Sequence, residues 1–353
     1  MRLEKLRETL AEQELDAILV SQAENRRYLS GFTGSAGMLM ITAQEAILAT
    51  DFRYYEQMGR EAPDFQLAKI KTRFEELLPE LISGMGIRRL GFESEHVTVH
   101  QLHTWSQASD NVEWVPQRQI VEKIRAVKEE GELDAIRRSV ALNDAALAHL
   151  LGVLEPGMTE ENAAWEIESY MRTHGASKVA FALIVAAGPN GALPHALASN
   201  RPIAEGEPIV IDIGCVVDGY CSDMTRTICL GKPDSHYLEV WQIVLSAQET
   251  AEATICAGMT GIEADASARA VIEKAGYGDQ FGHSLGHGVG LAVHEMPSAS
   301  PRVDNVLEAG MVLTVEPGIY LPGEFGVRIE DMVIIREDGV EVLTQSPKRA
   351  VSV

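Results

Sequence analysis

Cysteine is scarce in this chain, and so is positive charge. The 353 residues hold four cysteines, Cys215, Cys221, Cys229 and Cys256, with no CxxC pair among them. That leaves no disulfide framework to read, and reduced, buried thiols are the expectation. Lys and Arg number 30 against 52 Asp and Glu, a net charge of −22. A chain of that sign repels nucleic acid phosphates and anionic membranes, so neither is an expected partner. No window approaches 18 uninterrupted apolar residues, so no membrane-spanning helix is expected. The opening stretch, Met1 to Val20, is charged and amphipathic, without the apolar centre or cleavage site of a secretion signal. A cytoplasmic location is the expectation.

What is present is an ordinary globular composition. Apolar residues make up 46% and charged ones 23%, which speaks for a real core and against disorder. Residues 1–120 alternate helical and strand patterns. A helix is expected from Leu3 to Gln13, strands at Asp16–Val20, Gly37–Thr42 and Ala46–Thr50, and a helix near Arg53–Gly59. This reads as an α/β domain. Residues 121–353 read as a second domain, opening on a charged stretch at Glu122–Gly131 and a long helical pattern that runs to Leu154. Within it, Gly157-Met158-Thr159 recurs as Gly258-Met259-Thr260, 101 residues on. Each copy offers Thr as an N-cap, and each following run ends at a glycine, Gly175 and Gly276. The second domain is therefore read as a duplication, each half a pair of helices followed by antiparallel strands.

Both halves carry paired carboxylates. Ile209 to Thr227 contains Asp218-Gly219, a preferred hairpin turn. Folding there places Asp212 opposite Thr225, with Asp223 diagonally across on the same face. Two solvent-facing acids would give the same pattern, with Ile209, Ile211 and Ile213 covering the other face. In the second half, a hairpin centred on Gly323 sets Glu316 opposite Glu330. Like charges facing each other are unfavourable, and a cation between them removes the conflict. Four carboxylates suit Mn²⁺ or another hard or borderline divalent ion, and a nearby imidazole widens the choice to Zn²⁺, Co²⁺ or Fe²⁺. The glycine-rich stretch Phe281–Glu295 supplies His283, His287 and His294. His195, between Pro194 and Ala196, looks by its context like a surface residue.

These residues resemble the pita-bread metallopeptidases, specifically the proline-directed branch, over nearly the whole chain. Asp212, Asp223, His287, Glu316 and Glu330 match the signature in order. The resemblance implies a pseudo-two-fold αβ fold holding two divalent ions, Mn²⁺ first, with Co²⁺ or Zn²⁺ as alternatives. It implies that Asp212 binds one ion, that Asp223 and Glu330 bridge both, and that His287 and Glu316 complete the separate spheres. Asn25 to Gly37 and Thr50 to Tyr54 resemble the creatinase-like amino-terminal domain of aminopeptidase P. Methionine aminopeptidases resemble only the catalytic half, and creatinase lacks the complete metal set.

By the same resemblance the chain hydrolyses the bond before proline in peptides. Glu316 takes a proton from the attacking water. His195 and His294 hold the substrate carbonyl and stabilise the oxyanion. Arg328 orients the bridging site, while Arg226, Asp331 and His283 are structural or supporting. The reading favours an Xaa-Pro aminopeptidase. An Xaa-Pro dipeptidase is the alternative; relatives of that kind can carry an arginine four residues after the second histidine, and Ser298 at that position, with the aminopeptidase-like N-terminal domain, tips the reading toward the aminopeptidase. Arg302 is the nearest substitute. The compact spacing from Glu316 to Glu330 leans toward the dipeptidases. A non-catalytic binding protein of this fold is a distant third reading, since such proteins lose the ligands. A homodimer is expected, because such amino-terminal domains often reach a neighbouring subunit's site.

Overall fold

Ala17-Ile18-Leu19-Val20 is a strand with every side chain buried, as a continuous apolar run requires. It sits inside a six-stranded sheet of the computed structural model, which describes residues 1–352. The chain divides into two compact units, Met1–Arg125 and Ala126–Val353. In the first, Ala17–Val20 pairs antiparallel with Met38–Thr42 and parallel with Arg89–Glu93. Ala46–Thr50 continues the sheet beyond Met38–Thr42, and helices Arg2–Glu12, Phe74–Met85 and Val99–Ala108 complete the α/β pattern. The Asn25–Gly37 stretch begins on a helix not expected from periodicity, Ala23–Ser30. Its polar residues hold this unit together. Buried Glu93 accepts from Ser21 N, Gln22 N and Asn25 Nδ2, and Arg26 donates to the Ser21 and Gly34 carbonyls. The helix expected near Arg53 is a 3₁₀ turn, Phe52–Tyr54, that runs on into Tyr55–Glu61.

The second unit repeats itself. Helices Glu130–Val153 and Glu160–Thr173 precede one sheet, antiparallel but for the parallel edge strand Val351–Ser352, and Ser235–Thr254 and Gly261–Lys274 precede a fully antiparallel one. Thr159 caps one helix by accepting from Asn162 N, and Thr260 caps its counterpart by accepting from Glu263 N. Past the helix ends, Gly175 and Gly276 take φ of 115° and 89°, which other residues rarely adopt. The long-range bonds also repeat: Gly157 N donates to Ile203 O and Gly258 N to Leu307 O, both at 2.8 Å.

The helical pattern from Glu122 to Leu154 is not continuous. A short helix, Ile120–Ala126, ends before Val127, which bridges to Met311, while Lys128 N bonds Gly310 O. These long-range backbone bonds at 127–128 override local helix propensity. A new helix then starts on a Glu129–Glu132 capping box.

The halves meet along the strands that carry the carboxylates. Glu330 N donates to Thr225 O at 3.0 Å, and Thr227 Oγ1 and Arg328 exchange hydrogen bonds at 2.9 Å. Behind this seam lies a buried ion pair. Arg226 donates to Asp331 at 2.6 Å and to the Glu330 carbonyl at 2.5 Å, and Lys348 Nζ lies 2.7 Å from the other Asp331 oxygen. Burial works against the Asp331 charge, but Arg226 and Lys348 outweigh it and hold the carboxyl below its usual range.

Asp331→Ala leaves Arg226 buried without its counter-charge. The expected cost is about 3–5 kcal/mol, a fall in the thermal midpoint on the order of 10 °C, read by thermal denaturation.

Candidate metal centre

Asp212 lies on the strand Pro208–Ile213, opposite Thr225 on Met224–Leu230. That register follows from the turn, where Asp218 and Gly219 take φ of 52° and 88°. Ile209, Ile211 and Ile213 fill the core behind, so alternation turns Asp212 the other way. Asp223 precedes the second strand and is 5% exposed, which removes the solvent-facing alternative for it.

In the second half, Gly318–Leu321 pairs with Phe325–Arg328, and Val312–Val315 pairs with Asp331–Arg336. Both ladders share one register, which sets position 316 against position 330. Neither residue is inside a ladder. Glu316 and Glu330 occupy the gap between the two, where the backbone N–H of Glu330 turns to the Thr225 carbonyl of the first half. That gap frees both side chains to point at the first hairpin's acids.

His287 completes the cluster from Gly286–Gly288. A Cβ on Gly286 would lie 1.8 Å from Thr314 O, so only glycine lets this strand approach. His287 Nδ1 lies 3.1 Å from Gly288 O, which accepts its proton and leaves a lone pair on Nε2. Nε2 faces Glu316 at 3.3 Å and Asp223 at 3.7 Å. Burial holds the imidazole below its usual pKa, so it is neutral and able to ligate. One ligand atom each from Asp223, His287 and Glu330 lies within 4.8 Å of the others.

The carboxylates crowd one another in a dry place. Burial, then Glu330, Asp212 and Glu316, push Asp223 well above the usual carboxylate range. Burial, then Glu316 and Asp212, do the same to Glu330. Burial also raises Glu316. Asp212 Oδ1 is buried and has no hydrogen-bond partner among the described residues. An orphaned acceptor, repelling acids and a neutral imidazole lone pair are what a divalent cation would satisfy. The donor set therefore fits such an ion.

Arg328 ties the acids together. It donates to Asp212 at 2.5 Å, to Tyr320 OH at 2.7 Å and to Thr225 Oγ1 at 2.9 Å. Thr225 Oγ1 in turn donates to Glu330 at 2.7 Å. Burial opposes the Arg328 charge, but Tyr320, Asp212 and Glu316 outweigh it and raise its pKa well above the usual value. Thr314 Oγ1 plays a similar part, donating to Glu316 and accepting from His287 N, both at 3.0 Å. Sequence reasoning missed Tyr320, Thr225 and Thr314. For Thr225 and Thr314 the signal was positional only, a hydroxyl one step across or two along from an acid, and Tyr320, opposite Gly326, carried no such signal.

A cavity of about 500 Å³ opens over the cluster. Asp212, Asp223, His195, His283, His287, His294, Glu316, Arg328 and Glu330 all line it, so every site residue read from the sequence is brought together. The rings of His287 and His294 lie 4.3 Å apart. His283 reaches Tyr320 OH at 3.0 Å, a supporting position that also faces the cavity. Ser298 lines the opening, whereas Arg302 is exposed and outside the lining. Arg328 is the one Lys or Arg among the described residues that line it.

Residues 134–337 match metallopeptidase family M24, and residues 2–127 match the creatinase/prolidase N-terminal domain. An Xaa-Pro dipeptidase of Pyrococcus furiosus is 36% identical, over 98% of both chains. A solved Xaa-Pro dipeptidase from Bacillus anthracis is 41% identical, with a TM-score of 0.97 over 99% of this chain and 98% of that one. A solved X-Pro aminopeptidase from Thermotoga maritima is 39% identical, with a TM-score of 0.91 over 99% of this chain and 100% of that one. The chain belongs to metallopeptidase family M24, and is a peptidase of that pita-bread, divalent-metal-using family with a creatinase-type N-terminal domain.

Proposed function

We propose that this chain is an Xaa-Pro dipeptidase whose site holds two divalent ions, Mn²⁺ first among them, through Asp212, Asp223, His287, Glu316 and Glu330. The observation that carries the reading is full-length similarity to proteins named Xaa-Pro dipeptidase, together with this donor set in one cavity. The similarity supports the dipeptidase over the aminopeptidase expected from Ser298 and the N-terminal domain, since an arginine at position 298 is only one way to meet a dipeptide's carboxylate and the same N-terminal domain matches the creatinase/prolidase type. Aminopeptidase activity stays as the second reading, favoured by the Thermotoga maritima structure.

Bound divalent ions would lower the pKa of water toward neutrality and polarise the scissile carbonyl. The chain's own residues do the rest. Glu316, its carboxyl raised by burial, accepts the proton of the attacking water and passes it toward the leaving imino nitrogen. His195 and His294 flank the opening and donate to the carbonyl oxygen as it gains charge. Arg328 holds Asp212 fixed, and the Phe181, Ile184 and Leu197 side of the cavity offers an apolar wall for the proline ring. A homodimer and a cytoplasmic location belong to the same reading. Four free cysteines support the location.

With Mn²⁺ supplied, Ala-Pro should be hydrolysed at least about tenfold faster than Ala-Pro-Ala in kcat/KM, a ratio worth about 1.4 kcal/mol. Faster cleavage of the tripeptide would restore the aminopeptidase reading, and cleavage of neither would remove the proline assignment. Asp223→Ala should abolish hydrolysis and metal loading together, measured by elemental analysis; full loading with two ions would show that Asp223 is no bridge. Asp223→Asn tests the stored repulsion. A carboxyl with a raised folded-state pKa costs nothing below its unfolded value of about 4 and destabilises increasingly as pH rises above it. The metal-free Asn variant should therefore gain on the metal-free wild type as pH increases, read from urea midpoints.

A further inference from the structure

Glu160 is completely buried, yet no Lys or Arg hydrogen bonds to it among the described residues. It stands at the first position of the helix Glu160–Thr173, where the helix dipole favours a negative charge. All of its side-chain donors come from one loop. Ala187 N donates to it at 2.8 Å, Asn190 Nδ2 to both oxygens at 3.0 Å, Ser199 N at 3.1 Å and Ser199 Oγ at 2.6 Å. The two backbone donors lie at opposite ends of the segment 187–199. That segment carries His195, Ala196 and Leu197 to the cavity.

His195 needs such support. Its ring makes no hydrogen bond among the described residues and it is exposed, so its placement comes from the backbone that bears it. The segment has few bonds of its own, Leu193 N to Asn190 O and Ala196 N to Leu193 O. Its middle touches the site through Arg328 and the Pro194 carbonyl at 3.3 Å. Backbone bonds hold each end separately, Ala187 pairing with Ile209 and Ser199 O accepting from Glu161 N at 2.9 Å, and the Glu160 carboxylate joins the two ends to one another.

The duplicated half shows the alternative solution. The position 101 residues after Glu160 is Gly261, also first in its helix. A Cβ there would lie 2.1 Å from Ser298 O, so the backbone of the opposite cavity wall rests directly on the helix start. One half seats its wall on bare backbone. The other reaches across a gap with a carboxylate.

We propose that Glu160 is a positioning residue for the peptidase reaction, holding His195 at the cavity by clamping the segment 187–199 to the helix start. The proposal rests on the Xaa-Pro peptidase reading for its kinetic test and stands apart from that reading in its structural test. Glu160→Gln keeps the shape but turns an amide N–H₂ toward donors, which breaks the clamp.

By hydrogen exchange, the amides of Ala187 and Ser199 should lose protection in Glu160→Gln while the strand Pro208–Ile213 keeps it. With Mn²⁺-loaded enzyme on Ala-Pro, His195→Ala should lower kcat/KM by about 10²-fold, and Glu160→Gln by at least about 10-fold with metal content unchanged. The double variant should be no worse than His195→Ala within about twofold, since both act through one group. Losses that multiply, unchanged exchange at 187 and 199, or loss of bound metal would each overturn the proposal. If Glu160→Gln does not fold, Ser199→Ala removes one donor and carries the same cycle with a smaller first loss. Should no Xaa-Pro peptide be cleaved, the function reading fails while the exchange result still decides whether Glu160 clamps the loop.

Discussion

Four carboxylates, Asp212, Asp223, Glu316 and Glu330, share the lining of one cavity, and their mutual repulsion is the constraint that the catalytic unit is built around. Bringing such charges out of water costs several kcal/mol each without compensation. Compensation is visible everywhere around them. Arg328 lies against Asp212 and reaches Glu330 through Thr225. Thr314 satisfies Glu316 and fixes His287 at once. Arg226, paired with Asp331, pins the Glu330 carbonyl from behind. What these contacts do not satisfy, the bare Asp212 oxygen and the raised acids, is the part left for a cation.

Much of this was legible because hairpins convert sequence spacing into geometry. The Asp218-Gly219 turn leaves little freedom, so the spacing alone sets Asp212 opposite Thr225. The same held for positions 316 and 330 about Gly323. What alternation could not show is that the ladder opens there, because the bond that replaces the missing pairing comes from Thr225, more than a hundred residues earlier. Long-range choices of that kind also broke the helix expected through Val127, whose partner Met311 lies far along the chain. His195 illustrates the same limit. Its local context is that of a surface loop, it is indeed exposed, and only the seating of that loop brings it to the cavity.

Under the proposed reading, the choice between dipeptide and longer substrates would turn on charge at the cavity. Arg328 is already engaged by Asp212, Tyr320 and Thr225, and Arg302 is exposed and outside the cavity lining. A C-terminal carboxylate inside this unit would thus meet the imidazoles of His195 and His294, or backbone N–H groups, before any free cation. Recognition of that kind is weaker than a bidentate arginine grip, so discrimination by length is expected to be graded.

His195 and His294, the two histidines proposed to meet the substrate carbonyl, are set in place by contrasting means. His294 precedes Glu295, a buried carboxylate that pairs with Lys128 at 2.9 Å and accepts from Ala292 N. His195 rides on a loop held by Glu160, whose hydrogen bonds all come from backbone and side-chain dipoles, with Arg201 acting on it only through space. A full ion pair costs more desolvation but tolerates small movements, because Coulomb attraction falls slowly with distance. A dipole clamp depends on hydrogen-bond geometry, which fails steeply with angle. The wall that carries His195 is therefore the one whose position is more sharply defined, and also the one that a single substitution can most readily release.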